Sequence, residues 1–464
     1  MSRTYSWLTY SSARTQLAQS LGDSSSVFFL NTGTYNEIGL CVKEALRTWQ
    51  CLTGYWRGRD SFTASAGNTF YDLSSVLNNG LRSYNVYDTD LCASMQYRLS
   101  ENLGSEAPGD TWIGTSMFSL EQLTDALQTR RDSFLEQTGI ILGTSTLTVS
   151  PPAPSYGFAD DTVIDVRRMA WIDPVTGKKS YLHRQDEWQM NAYNPGWNAG
   201  FGGAPSSYSL ASTPVLNFAL SPTPGVGSSV ELITTNSGAT LNPAAGVLIG
   251  VPDDWAWVVE FGALADLLSE DGPSPDVQLS EYCEARWQQG IALARLAPCV
   301  VAAKINGADV MPTPLWDMDM YNPGWENSTS GTNQLAFAGQ NLVAISPPPS
   351  ASSTPSILVD VVQNAPMPAS DGAYIQIGRE EWSAILDYSQ HLASLKLSAD
   401  EFKGTLGLYK NFMQQAALYN DRLAAYAPMF KPMALQMHTE CEKIQRRLSD
   451  SMVEVGSGTT KGGE

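Results

Sequence analysis

Paired acidic residues are the first feature of this sequence that could support catalysis, since glycosidases use two carboxylates about 5–9.5 Å apart. Acidic doublets occur at Asp160-Asp161, Asp253-Asp254 and Glu380-Glu381. Adjacent residues do not provide such a pair, and the last two doublets precede apolar helical patterns, where acidic side chains stabilise the amino end of a helix. We therefore predict no catalytic residue and no enzymatic activity.

The remaining polar motifs do not indicate a metal or a cofactor. The three histidines, His183, His391 and His438, lie far from one another and from any pair of cysteines, so zinc is not expected. The segment from Asp317 to Asp319 is not followed by the glycine and the twelfth-position glutamate of a calcium loop. No glycine-rich loop followed by lysine is present for binding phosphate. We predict neither a metal nor a cofactor.

The thirteen tryptophans could instead form a binding surface, because aromatic faces contribute to ligand sites. Trp255, Trp287 and Trp382 fall at apolar positions of predicted helices, which indicates core packing. Trp197 and Trp325 each follow an Asn-Pro-Gly turn, which projects the side chain from a rigid corner. Each of these two indoles either plugs its own module or contacts a neighbouring subunit, so both are interface candidates.

A repeat organises the second half of the chain. The peptide Tyr193–Trp197 (YNPGW) recurs as Tyr321–Trp325, 128 residues later. Further matches follow at a common offset of 127 residues, among them Trp255 with Trp382. A shared register over this distance favours duplication over chance.

The repeat predicts two modules, residues 156–300 and residues 301–427, each with short strands followed by helices. Apolar runs bounded by proline and glycine predict the strands, at 215–220, 230–234, 342–345 and 357–362. In the first module, Ser274-Pro275-Asp276 predicts the start of a long helix. In the second, a capping box of Ser398 and Glu401 predicts a helix that runs to about Ala425.

Residues 1–155 have a different pattern, which predicts a mainly helical N-terminal domain. Helices are expected at 36–53, 89–101 and 120–137, and a strand at 144–154. The last helix has the clearest signals, a capping box of Ser119 with Gln122 and a terminal Gly139. The predicted fold class is thus α+β: a helical N-terminal domain, then two duplicated modules, each a small β-sheet plus a long helix pair, and a C-terminal helix.

Residues 428–464 are predicted to form that C-terminal helix and a disordered tail. Prolines at 428 and 432 separate the helix, expected from 432 to 449, from the one before it. Met433, Met437 and Ile444 share one face, and methionine-rich faces adapt to partner surfaces. These three residues are therefore interface candidates, with packing on their own subunit as the alternative. The Gly/Thr/Lys tail from Gly456 is expected to be disordered.

Composition predicts a soluble globular protein. The 464 residues are 43% hydrophobic and 16% charged, with a formal net charge of −19, whereas an average domain has about 25% charged residues. Such an acidic chain is not expected to bind DNA tightly, and its low surface charge favours contacts between subunits. No signal peptide or membrane span is predicted, and the six cysteines fit reduced thiols in a cytosolic product.

The segment Arg130–Gly139, preceded by Trp112–Thr115 and Phe118, resembles structural proteins of tailed bacteriophages that are encoded near the head-to-tail joining region. The segment Ile249–Asp254, followed by a helix pair, is similar to phage neck and adaptor proteins. The resemblance implies a non-enzymatic head-to-tail connector that forms a homo-oligomeric ring. The chain departs from a minimal helical adaptor in its length, because the repeated module adds to it.

The resemblance also implies partners and a location. The partners would be further copies of the chain, the portal and tail proteins, and genomic DNA that passes through the lumen without tight binding, with no membrane contact. The location would be the virion, assembled in the host cytoplasm. The alternative function is a tail-associated carbohydrate-binding or depolymerising protein that uses Trp197 and Trp325 as platforms.

Overall fold

A computed structural model gives the fold of the chain. It describes residues 4–29, 31, 36–77, 84–99, 118–149, 153, 155–158, 160–199, 202–211, 216–269, 275–350, 352, 354–396 and 399–458, with only the backbone described at 399–401 and 448–458. The chain is α+β, as predicted. Within the described residues, no helix combines the length and apolarity that crossing a bilayer requires.

The helices vary from one turn to 28 residues. They are α1 (Tyr10–Ser20), α2 (Glu37–Thr53), α3 (Leu73–Val76), α4 (Asp88–Arg98), α5 (Leu120–Thr138), α6 (Glu187–Tyr193), α7 (Ala256–Leu267), α8 (Val277–Ala294), α9 (Leu315–Tyr321), α10 (Arg379–Ser394), α11 (Ala399–Gly404), α12 (Leu406–Ala424) and α13 (Lys431–Gly458). Ser119 and Gln122 form the predicted capping box of α5. Gly139 then ends α5 in the left-handed region at φ 57°, and Gly54 ends α2 in the same way at φ 54°.

The strands are short, and many of them are polar. They are β1 (Arg57–Thr63), β2 (Phe70–Asp72), β3 (Gly143–Thr148), β4 (Tyr156–Gly157), β5 (Val163–Ile172), β6 (Lys179–Tyr181), β7 (His183–Arg184), β8 (Ser207–Ala211), β9 (Asn217–Ser221), β10 (Ser229–Asn236), β11 (Val300–Ile305), β12 (Ala308–Val310), β13 (Pro312–Pro314), β14 (Gln334–Ala338), β15 (Leu342–Ser346) and β16 (Ser356–Val362). In the described part of the chain they form four sheets, with strand orders β1-β16-β11-β12 (sheet A), β13-β14-β15-β2 (sheet B), β3-β10-β5-β6 (sheet C) and β4-β9-β8-β7 (sheet D).

Sheets A and C have the same arrangement of strands. Neighbouring strands are antiparallel throughout both sheets. Each sheet also contains a bulge at the same place, because the pairing skips Val301 of β11 in sheet A and Arg167 of β5 in sheet C. Sheets B and D likewise share one pattern, in which the edge pairs β13–β14 and β7–β8 are parallel and the other pairs are antiparallel.

Strands from the first 155 residues are integral parts of these sheets. In sheet A, β1 pairs with β16, so that Arg59 lies opposite Asp360. In sheet B, β2 pairs with β15, and in sheet C, β3 pairs with β10. The predicted domain boundary after residue 155 therefore separates strands that are hydrogen-bonded to each other, and the boundary after residue 300 falls inside β11.

The helices pack together beside the sheets around one large apolar core. Helix α2 packs on α10 and α12, while α5 packs on α7 and α8. The buried side chains include the three tryptophans predicted to lie in the core, Trp255, Trp287 and Trp382. Because burying a large apolar side chain contributes roughly 1.5–3 kcal/mol, this core is a major source of stability for the fold, beside the smaller clusters within the sheets.

Two of the predicted helices differ in detail from the structure. The helix expected from 398 to 425 is interrupted at Thr405, between α11 and α12. The Thr405 hydroxyl donates to the carbonyl of Phe402 and contacts His391 of α10, and such side-chain bonds compete with the helix. Helix α8 begins after Asp276, whose carboxylate accepts from the Leu279 amide. The predicted caps at 274 and 398, and residues 112–115, lie outside the described side chains.

The C-terminal segment turns once at Pro428–Phe430 and continues as α13. Met433, Met437 and Ile444 are buried against the helical core. These three residues therefore pack on their own chain, which was the alternative to contact with a partner. The helix extends to Gly458, past the predicted end at 449 and into the segment from Gly456 that was expected to be disordered.

Candidate functional site

The two interface candidates that follow the Asn-Pro-Gly turns are buried within their own chain. Gly196 and Gly324 take φ 80°, a conformation that favours glycine, and this turn folds the indole back onto the preceding short helix. The indole of Trp197 donates to the side chain of Asn191 at 3.0 Å, and the indole of Trp325 donates to Asp319 at the same distance.

Burial limits what these two tryptophans can contact outside the chain. Trp197 is 6% exposed and packs on Met190, and Trp325 is 2% exposed and packs among apolar residues of sheets B and C. The sequence left two possibilities for each indole, packing within its own module or contact with a neighbouring subunit. In the structure, both side chains pack within their own chain. Stacking on a sugar requires an open indole face, which neither residue has.

Exposed aromatic side chains lie elsewhere in the same motif. Trp188 and Tyr193 of α6 are 78% and 80% exposed, and Trp316 and Tyr321 of α9 are 61% and 78% exposed. These four residues were not among the predicted interface candidates, although the repeated peptide extends upstream to W-x-M-x-x-Y-N-P-G-W. We call residues 187–197 the α6 tip and residues 315–325 the α9 tip.

A large cleft lies beside the α9 tip. Its volume is about 1370 Å³. Its lining includes the largely exposed apolar side chains of Met311, Trp316 and Met320. It also includes the cationic side chains of Arg167, in the bulge of β5, and Arg295, which follows α8, and the carboxylate of Asp317 in α9. The cleft therefore combines aromatic and methionine side chains with charged groups.

The base of the α9 tip is fixed to sheet C by buried charges. Arg168 of β5 donates to both carboxylate oxygens of Asp319, at 2.7 and 2.9 Å, and to Glu326 at 2.9 Å. Burial acts to lower the pKa of Arg168, but the hydrogen bond to Asp319 and the charge of Glu326 outweigh it and raise the pKa above its ordinary value. Arg168 thus stays charged and holds the tip in one orientation.

Asn327, which follows the α9 tip, makes a second contact with sheet C. The Lys179 amide donates to the side chain of Asn327, which in turn donates to the Lys179 carbonyl, at 2.8 and 2.6 Å. Asn341 makes the same kind of paired contact with the backbone of Leu142, at 3.0 and 2.9 Å. The shape of the cleft is therefore set by rigid elements.

The helical core contains buried ions that join distant helices. Arg98 of α4 pairs with Glu44 of α2 and with Glu260 of α7. Burial raises the pKa of Glu260 to about 7 despite the opposing charge of Arg98. Arg286 of α8 donates to the hydroxyls of Tyr388 and Tyr409. These contacts connect α8 to α10 and α12 and specify how the helices meet.

His391 lies at the centre of this core. Its ring nitrogens contact the hydroxyls of Tyr282 and Thr405 at 2.8 and 2.9 Å. Burial, together with the nearby charge of Arg286, lowers the pKa of His391 to about 3. A neutral histidine with both nitrogens engaged serves packing, because neither nitrogen is available to a substrate.

The acidic doublet Asp253-Asp254 has a structural role. The Asp253 carboxylate accepts from the amides of Asn85 and Val86, and Asp254 accepts from the amide of Ala365. Among the described residues, no group of three or more His, Cys, Asp and Glu side chains is placed to hold a metal ion. The chain matches no protein-family model and no curated protein.

Proposed function

We propose that the chain consists of two copies of one module, with one copy inserted into the other. The inner copy is residues 84–298. The outer copy combines residues 4–77 with residues 299–427, so that the inner copy lies in the connection between β2 and β11. In the inner copy, the equivalent connection between β4 and β5 is only a short loop.

Matching positions in the first parts of the two copies support this proposal. The helix-ending glycines Gly54 and Gly139 are 85 residues apart. Tyr71 lies opposite Val343 in sheet B, and Tyr156 lies opposite Phe218 in sheet D, which is again an offset of 85 residues. The bulges of β5 and β11 and the strand orders of the sheets agree with the same correspondence.

The helices support the same correspondence. In the outer copy, α1 packs on α2, and α2 packs on α10 and α12; in the inner copy, α4 packs on α5, and α5 packs on α7 and α8. An isolated bridge joins Thr9 to Tyr374 before α1, and another joins Tyr87 to Leu248 before α4. An experimental structure in which Trp255 and Trp382 lie in unrelated elements would contradict the duplication.

We further propose that the protein is a non-enzymatic structural component of a phage virion, a neck or adaptor protein that forms a ring between portal and tail. The observation that carries this proposal is that one chain presents the same exposed aromatic tip twice. Trp and Tyr are the residues that contribute most at protein interfaces, and repeated presentation suits an assembly of repeated subunits.

The charge of the chain fits a conduit for DNA. A net charge of −19 repels the phosphate backbone, so DNA can slide through a lumen lined by such subunits without being retained. Only 16% of the residues are charged, and the cores of protein interfaces are depleted of charged residues.

Negative-stain electron microscopy of the purified protein tests this function. We expect closed rings, with additional rings or caps when portal or tail proteins are added. Compact monomers that bind glycans would contradict it and would favour the carbohydrate-binding alternative, for which the open indoles of Trp188 and Trp316 are better placed than Trp197 and Trp325.

A further inference from the structure

Four aromatic residues of the two tips are shared by both copies although the fold does not use them. In the repeated peptide, the methionine and the second tryptophan are buried, and the glycine adopts φ 80°. The side chains of Trp188, Tyr193, Trp316 and Tyr321 take part in none of the hydrogen bonds, ion pairs or ring contacts found among the described residues. Packing therefore explains why the buried methionine and the second tryptophan recur in both copies. The recurrence of the exposed tryptophan and tyrosine requires a contact outside the module.

The two tips differ in their surroundings. Trp316 and Met320 of the α9 tip line the large cleft, whereas α6 does not line it. The α6 tip instead projects from sheet D, with Asp186 and Glu187 beside Trp188. One tip is thus part of a receiving surface and the other is a projection with acidic and aromatic side chains.

The arginines of the cleft and the carboxylates of the α6 tip have opposite charges. In the cleft lining, which also holds Asp317, Arg295 donates from Nε to the carbonyl of Gln137 at 2.8 Å, and no carboxylate pairs with it among the described residues. Arg167 has one carboxylate partner, Asp165, at 3.2 Å. An acidic segment that carries an exposed indole suits this lining, because Arg295 attracts its carboxylates and Trp316 and Met320 provide an apolar contact for its indole.

We propose that the α6 tip of one chain binds in the cleft of a second copy of the chain, with Trp188 against Trp316 and Met320 and with Glu187 facing Arg295. This contact rests on the proposed function, since it requires self-association. This contact explains why both copies of the module have the exposed aromatic residues, because the α6 tip and the α9 tip lie on opposite sides of one interface. The two surfaces differ, so each chain donates a tip to one neighbour and accepts a tip from another, which generates a ring when the rotation closes.

Sedimentation velocity of the full-length chain tests the contact. We expect Trp188→Ala and Trp316→Ala each to weaken self-association by roughly tenfold or more, because truncating a central interface tryptophan has effects of this size. Tyr426→Ala is the matched control, since Tyr426 is 71% exposed and lies outside the tips and the cleft. It should leave association unchanged. All three variants should melt like the wild type because the changed side chains are exposed.

A charge exchange tests the orientation. Glu187→Arg and Arg295→Glu should each weaken association, and the double variant should restore it, because the pair is then reversed but still complementary. A second test mixes a Trp188→Cys chain with a Met320→Cys chain, both with Cys441→Ser because Cys441 is the partly exposed native thiol. A disulfide between the two chains is expected under mild oxidation.

The outcomes separate this contact from the proposed function. If the wild type associates and the tip variants associate equally well, the contact is wrong while the ring remains supported. If the wild type stays monomeric at every concentration, both are wrong. Failure of the charge exchange to restore association, together with no disulfide between mixed chains, would also overturn the contact.

Discussion

Arg168 and Asp319 meet through two parallel hydrogen bonds across 151 residues of sequence. The guanidinium belongs to β5 and the carboxylate to α9, so the pair fastens the α9 tip to sheet C. Glu326 adds a second carboxylate to the same guanidinium. All three side chains are almost completely buried, so the orientation of the tip depends on charges that water does not screen.

Replacing Arg168 by alanine should strongly destabilise the protein. The change leaves the buried Asp319 carboxylate without its cation and leaves Glu326 with Lys179 at 3.7 Å, and breaking a buried ion pair in this way typically costs about 3–5 kcal/mol. Urea unfolding measures this loss. The control is Arg59→Ala, which removes an ion pair to Asp360 in which the arginine side chain is 64% exposed and should cost only about 0–1 kcal/mol. Equal losses in the two variants would contradict this role of Arg168.

Glu260 should make stability decrease between about pH 4.5 and pH 7. Its pKa in the folded protein is about 7, above the value of 4.5 for an unperturbed glutamate. The folded state therefore binds the proton more tightly than the unfolded state, and its contribution to stability is lost as the pH rises through this range. Glu260→Gln should remove this slope. The free energy of unfolding, measured at several pH values for both proteins, checks it, and identical slopes would contradict it.

His391 should have the opposite effect. Its pKa is about 3 in the folded protein and 6.5 in an unperturbed histidine, so the unfolded state binds the proton more tightly below pH 6.5. Stability should therefore fall as the pH decreases from 6.5 toward 3. His391→Gln should be less stable than the wild type at pH 7.5 but should lose less stability on acidification. A parallel loss in both proteins would show that His391 does not titrate in this range.

Substitution of the glycines that end α2 and α5 should lower the stability of the protein. Gly54→Ala and Gly139→Ala place a β-carbon on a left-handed residue, which costs roughly 1–2 kcal/mol. Gly407 lies within α12 and has open space where a β-carbon would be. Gly407→Ala should therefore stabilise the protein by about 0.5–1 kcal/mol. Thermal unfolding of the three variants compares these signs, and a stabilising Gly54→Ala would contradict the cap.

The buried face of α13 should matter more than its exposed face. Met437 is completely buried, whereas Leu435 is 60% exposed. Met437→Ala should cost about 2–5 kcal/mol because it leaves a cavity, while Leu435→Ala should change stability by less than about 0.5 kcal/mol. Denaturant unfolding distinguishes the two. Similar small effects would indicate that α13 is not part of the core in solution.

Local sequence signals predicted individual helices, but they did not predict which distant strands pair with each other. The Ser119–Gln122 capping box and Gly139 gave the bounds of α5 to within one residue, because caps act over one helical turn. Strand β1 has the sequence RGRDSFT, with few apolar residues to indicate a strand. Its pairing is specified by β16, and a sequence pattern read over a short window does not contain that partner.

The candidate site was only partly predictable for a related reason. The repeat at Trp197 and Trp325 marked the correct peptide, but the direction in which each side chain points depends on the packing of the whole turn. The turn folds the second tryptophan inward onto Met190 or Met318 and leaves Trp188 and Trp316 outside. Spacing alone does not separate these outcomes.

The pairing of β1 with β16 also affects the order of events during synthesis. Arg59 and Asp360 are 301 residues apart, so β1 leaves the ribosome long before its partner strand exists. Sheet C spans only residues 143–236, so all of its strands are synthesised before β16, the partner of β1. Closing such a long loop is slow compared with local pairing. Strand β1 thus remains without its partner until β16 has been synthesised, so a chain truncated before residue 356 cannot complete sheet A.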